Sequence, residues 1–117
     1  MIEPFIIGVS PDNGRSTGGT SISISGTDLG ISQDDVVSVT VIAKSCFDIN
    51  RISSQNIICS TPAGLPNTSG SVIVRTNSGG LSNTNITFIY NPGKYLFYIW
   101  LIYYPFHYIV LYYFKQH

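Results

Sequence analysis

Histidine is missing from the first ninety-three residues of this 117-residue chain, and glutamate occurs once, as Glu3. Without an imidazole there is no histidine general base, and one terminal carboxylate makes no acid–base pair. Charge is scarce: Asp, Glu, Lys and Arg make up 10% of the sequence, and the formal net charge is zero. That excludes the basic stripe of a nucleic-acid binder and the self-repelling charge of a disordered chain. Two cysteines, Cys46 and Cys59, with no histidine nearby, make no zinc site. Asp12, Asn13 and Asp28 lack the ligand-rich loop spacing that calcium needs. Asp34 and Asp35 are adjacent, fall on opposite faces if extended, and read as a solvated loop. No enzyme, cofactor or metal is expected.

A second set of absences divides the chain. Residues 94–117 contain no Gly, Ser or Thr, yet carry eleven of the fifteen aromatics, including seven of the eight Tyr. Residues 1–93 hold all eleven Gly and every Ser and Thr, with four basic against six acidic residues. The expected organisation is a domain over 1–92 followed by an apolar aromatic tail over 93–117.

Within 1–93 no amphipathic helical period occurs, and the hydrophobic period is two. Ile22 and Ile24 alternate with serines; Val37, Val39 and Val41 alternate with Ser38 and Thr40; Val72 with Val74, and Ile86 with Phe88 and Tyr90, repeat the pattern. These runs predict half-buried strands near 5–9, 20–25, 36–41, 46–49, 56–60, 71–76 and 83–90. Turn chemistry separates them at Pro11–Gly14, Gly18-Gly19, Gly26, Gly30, Pro62–Gly64 and Asn77–Gly80, the last a hairpin candidate. Seven short strands about ten residues apart predict an all-β sandwich. Gly18 and Gly19 are read as positions of positive φ or close backbone approach, not as a phosphate cradle, since no helix follows them.

Several of these motifs occur in a recognisable order. Phe5-Ile-Ile-Gly-Val-Ser-Pro11, Gly14, Gly18-Gly-Thr20 and Ile22-x-Ile-x-Gly26-x-x-Leu-Gly30 open the series. Val39-x-Val41, Cys46, Ile58-Cys59-Ser-Thr-Pro62, Gly70-x-Val-x-Val74, Ser78-Gly-Gly80 and Phe88-x-Tyr90 complete it. Over about 5–91 the sequence resembles an IPT/TIG domain. The resemblance implies an immunoglobulin-like, early-set β-sandwich that acts as a protein-interaction or adhesion module.

Cys46 and Cys59 are thirteen residues apart, each bordering a predicted strand. On their own they read either as a disulfide or as two buried thiols serving as small hydrophobes. Comparable cysteines in extracellular family members, in plexins and Met-type receptors, imply the disulfide. Asn67-Thr-Ser69 and Asn85-Ile-Thr87 are N-glycosylation sequons, Asn67 in a predicted loop and Asn85 pointing outward from a strand. These features point to the cell surface. Against them, Met1 runs directly into the first strand with no signal peptide, which leaves a cytosolic protein or an internal fragment.

The cytosolic alternative is an exocyst-type domain that binds a small GTPase in vesicle tethering. There the family's GTPase-contacting Thr and Arg fall on Ile7 and Ser25, and neither replaces a guanidinium fork. A third class, a carbohydrate-binding accessory module, needs exposed aromatics. The sandwich has only Phe5, Phe47, Phe88 and Tyr90, at least two of them inward. The expected partner is therefore a protein, either a surface ligand or a member of the same family.

In the tail, Tyr95 to Phe114 has no formal charge with His107 neutral, and Lys94 and Lys115 flank it. Twenty helical residues would cross about 30 Å, a bilayer's hydrocarbon thickness. Tyr103, Tyr104, Tyr108, Pro105 and His107 in its middle suit a bilayer poorly. The alternative is translated AT-rich intron sequence, in which case the tail carries no function.

Overall fold

The computed structural model describes residues 2–92, 95–103 and 106–114. Residues 5–90 form ten strands in two facing sheets. One sheet contains β1 (Phe5–Ser10), β3 (Ser21–Thr27), β6 (Phe47–Ser53) and β7 (Asn56–Ser60), in the order β1-β3-β7-β6. The other contains β2 (Asn13–Gly14), β4 (Val36–Val41), β5 (Lys44–Ser45), β8 (Thr68–Thr76) and β10 (Thr87–Tyr90), in the order β2-β10-β8-β4-β5. The short β9 (Gly80–Leu81) pairs β8. The pairings within the sandwich are antiparallel apart from β2 with β10.

Alternation supplies the core. Ile6, Ile22, Ile24, Ile57 and Cys59 from the first sheet meet Val39, Val41, Val72, Val74, Phe88 and Tyr90 from the second, all buried. Full burial of one such aliphatic or aromatic side chain contributes about 1.5–3 kcal/mol. Phe88 and Tyr90 project from one face of β10 and meet edge to face, with centroids 5.4 Å apart. The opposite face of the first sheet carries the alternating serines, among them Ser21, Ser23 and Ser25 of β3 and Ser60 of β7.

Three expectations are corrected. Val37 is 49% exposed, because the β4–β8 register slips between Val36 and Ser38 and the extra residue turns Val36, not Val37, toward the core. The strand expected over 46–49 starts at Phe47 and continues to Ser53 through two register shifts against β7. The strand expected over 83–90 holds only from Thr87. Before it, the Asn83 side chain turns to the other sheet, its Oδ1 accepting the Ile6 N–H at 2.7 Å and its Nδ2 donating to the Ile6 carbonyl at 3.0 Å.

A second carboxamide does the same at the far edge of that sheet. Gln33, in a 3-10 turn over Gln33–Asp35, donates from Nε2 to the Ile49 carbonyl at 2.9 Å and accepts the Arg51 N–H at 2.7 Å. Edge strands β1 and β6 are thus each closed by a side chain that imitates a peptide group.

Beyond the sandwich, β11 (Tyr95–Tyr103) and β12 (Phe106–Phe114) pair antiparallel, from Tyr95 opposite Phe114 to Tyr103 opposite Phe106. Residues 95–103 and 106–114 are thus strands, where the twenty-residue helical reading expected a helix. Aromatic and β-branched residues favour strands, and Pro105 would interrupt a helix. Among the described residues no helix is long and apolar enough to cross a membrane. Lys94, Lys115 and the boundary at Gly93 lie outside the described residues.

Candidate functional site

The sandwich has two unlike ends. Where the chain enters, Ile2, Asp28, Gly30, Ile31, Ser54 and Ser78 line an open cavity of about 380 Å³. Asp35 braces this end. Its carboxylate accepts the Ile31 N–H at 3.0 Å, the Ser78 N–H at 2.8 Å and the Ser78 hydroxyl, tying the β3–β4 connection to the β8–β9 hairpin. Asp35 is therefore 6% exposed, which corrects the solvated-loop reading; Asp34 beside it is exposed. Its binding partner lies forty-three residues away, so no local pattern announces it.

The Ser78 hydroxyl first, then the Ile31 N–H, hold the Asp35 carboxyl below its ordinary value. A depressed carboxyl stabilises the fold above its unfolded pKa, and that stability is lost as pH falls through the folded value. Asp35→Asn is accordingly expected to lower the thermal midpoint at pH 7, with the gap from wild type closing below about pH 4. A gap that stays constant between pH 7 and pH 2.5 in a thermal melt series would falsify this assignment.

At the opposite end, Val41, Ile42, Lys44, Gly64, Leu65, Thr68 and Tyr90 line a smaller, mainly apolar cavity of about 170 Å³. Tyr90 organises it. Its hydroxyl donates to the Pro62 carbonyl, and its ring lies so close to Gly64 that a β-carbon there would sit 2.3 Å from a ring carbon. Burial pushes the Tyr90 phenol up, and Cys46 adds to the effect. Gly18 secures the neighbouring loop: its φ is +84°, and an added Cβ would lie 2.7 Å from backbone atoms of Pro62 and Ala63. The β4–β5 turn places Ile42 and Ala43 at φ of 50° and 66°, values that hairpins usually reserve for Asn-Gly. The Ile42 side chain is held over Gly70, whose missing Cβ leaves the room.

Cys46 and Cys59 meet between the sheets. Both are buried free thiols, and Cys59 donates to Cys46 across 2.7 Å between sulfurs. That hydrogen bond first, then burial, pushes the Cys59 thiol up from its ordinary value. Asn67 is exposed at φ 60°, a conformation that asparagine tolerates, and Asn85 is exposed beside Asn83. Ile7 is 61% exposed at the β1 bulge, and Ser25 lies opposite Gly8 on β3. Phe5 and Phe47 are half exposed, but they stand on opposite edge strands of one sheet and form no aromatic platform.

The architecture is an immunoglobulin-like β-sandwich with an open cavity at each end and no group of three metal-binding side chains among the described residues. The model of the IPT/TIG domain family matches residues 4–90, and the chain belongs to that family. Exocyst complex component 2 from human is 29% identical over 93 residues, a match covering 78% of this chain and 10% of that protein; the mouse protein gives the same figures. Mouse plexin-B2 is 32% identical over 94 residues, covering 78% of this chain and 5% of plexin-B2. Among solved structures, the plexin A4 extracellular region superposes with a TM-score of 0.65 at 22% identity, over 75% of this chain and 10% of that one, and so supports the sandwich fold. The chain thus spans a tenth or less of the curated relatives that it matches.

Proposed function

We propose that this domain is a non-catalytic protein-interaction and adhesion module of a cell-surface protein, with Cys46 and Cys59 joined as a disulfide and glycans on Asn67 and Asn85. The supporting observation is the thiol pair: two buried sulfurs 2.7 Å apart, linking the start of β6 to β7. A disulfide needs about 2.05 Å between sulfurs, so closure asks for a shift of less than 1 Å. Thiol–disulfide exchange in the secretory pathway would remove the two electrons and two protons. Both sequon asparagines are exposed, as attachment requires. Likeness to plexin-B2 agrees with this setting.

Likeness to exocyst complex component 2 supports a second reading, a cytosolic GTPase-binding domain. Ile7 and Ser25 weigh against it, because neither offers a charged donor on the surface where the resemblance puts the GTPase contact.

Peptide mass spectrometry of the endogenous protein, without reduction, separates the two. The expected result is a Cys46–Cys59 linked peptide and a glycan on at least one of Asn67 and Asn85. Free thiols with both asparagines bare would overturn the surface reading and favour the cytosolic one.

A further inference from the structure

The apolar side chains that the fold leaves outside are unevenly placed. Among the described residues, Ile31 at 78% and Ile2 and Leu65 at 72% are the most exposed large hydrophobics, and all three line the two end cavities. The sides of the molecule offer less. Phe5, Ile7, Phe47 and Ile52 on the edge strands of the four-stranded sheet are 48–61% exposed, less than the three at the ends, while the outward positions of its inner strand β3 are serines, and Gln33 and Asn83 close its edges. Charge at the ends is complementary: Asp28 lines the entry cavity and Lys44 the exit cavity. Both are exposed. Asp28 has no ion pair among the described residues, and Lys44 reaches only the Ala63 carbonyl, at 3.4 Å. The chain enters beside the first cavity at Ile2 and leaves β10 beside the second at Tyr90, so the two ends lie in series.

We infer that the two ends are complementary docking faces, and that the occupant of each is a second copy of this chain, stacked head to tail. Leu65 of one copy enters the cavity lined by Ile2 and Ile31 of the next, and Lys44 stands against Asp28. Ends of a small sandwich bury little area, so a single contact falls in the weak class, below about 1,200 Å². Such a contact gains strength when copies are arrayed on facing surfaces. Because the faces are unlike, the contact is heterologous and propagates instead of closing into a pair. This deepens the interaction-module reading and rests on it, but it does not depend on the disulfide or the glycans.

The test is zero-length carbodiimide coupling of the full chain, with cross-links mapped by peptide mass spectrometry. Asp28 follows β3 at one end and Lys44 lies at the other. Seven strand residues at about 3.3 Å each separate the ends, so an Asp28–Lys44 isopeptide can only join two copies. That link is expected, rising with protein concentration. Asp28→Lys and Lys44→Asp each place like charges across the contact, and each alone should weaken self-association about fivefold or more, read by sedimentation without coupling, because either change also removes a group the coupling needs. Mixed together, the two variants match charges at both kinds of junction, so they should alternate and extend as the wild type does while neither extends alone, read by sedimentation. Links between other Lys and carboxylate groups without Asp28–Lys44, variants that associate like the wild type, or a mixture no better than its parts would each overturn the inference. Each of these results leaves the mass-spectrometric test of the cell-surface reading untouched.

Discussion

Gly26→Ala is expected to destabilise the sandwich by about 3 kcal/mol or more, while Gly8→Ala, close to it on the paired strand, leaves stability within about 0.5 kcal/mol. Ile6 pairs with Gly26 and Gly8 with Ser25 across the bulge at Ile7, so the two glycines share one ladder. Their surroundings differ. A Cβ on Gly26 would stand 2.1 Å from the Phe5 carbonyl oxygen, a backbone atom that cannot rotate away, whereas on Gly8 the nearest atom is the Ser25 hydroxyl at 3.8 Å. Alanine at position 26 must therefore push β1 off β3 and withdraw Ile6 from the core. Urea denaturation of the two variants decides the matter. Similar midpoints would show that β1 yields freely and contributes little.

Tyr90 carries the second large effect. Tyr90→Ala empties the largest fully buried side chain among the described residues and is expected to cost about 3–5 kcal/mol. Tyr90→Phe keeps the volume and removes only the hydroxyl from the Pro62 carbonyl, for about 1–3 kcal/mol. Because the ring occupies the space where a Gly64 side chain would lie, Gly64→Ala alone is also destabilising. In the Tyr90→Ala background that clash is gone, so the double variant should be more stable than the sum of the two losses implies. A coupling near zero in the double-mutant cycle would mean that the loop at Gly64 simply moves aside.

Much of this architecture was legible because a strand with one buried face writes its period into the sequence. Ile22, Ile24, Val39, Val41, Val72, Val74, Phe88 and Tyr90 point inward as their alternation requires. What escaped detection is what alternation does not encode. A bulge leaves composition unchanged while it rotates Val37 out of the core. Asn83 fell within an expected strand and Gln33 in no motif, yet their partners are Ile6, seventy-seven positions away, and Arg51, eighteen away. Asp35 escaped for the same reason, since the serine that engages it lies in a distant hairpin turn. The two cavities are likewise assembled from residues far apart in the chain: Ile2 with Ser78 in one, Lys44 with Tyr90 in the other. Spacing alone left the two cysteines open between a disulfide and two buried thiols, and only the family resemblance implied pairing; the contact between their sulfurs is a product of sheet packing.

The carboxamides on the two sheet edges have a chemical consequence. An amide side chain can stand in for a peptide only while it keeps its nitrogen, because one arm must donate and the other accept. Hydrolysis of Asn83 to the acid would set a carboxylate oxygen against the Ile6 carbonyl where an N–H now points, and the same change at Gln33 would face the Ile49 carbonyl. Two acceptors facing each other part company. The bare β1 or β6 edge would then be free to template another strand. Loss of either amide nitrogen would thus turn a closed edge of this sheet into a sticky one.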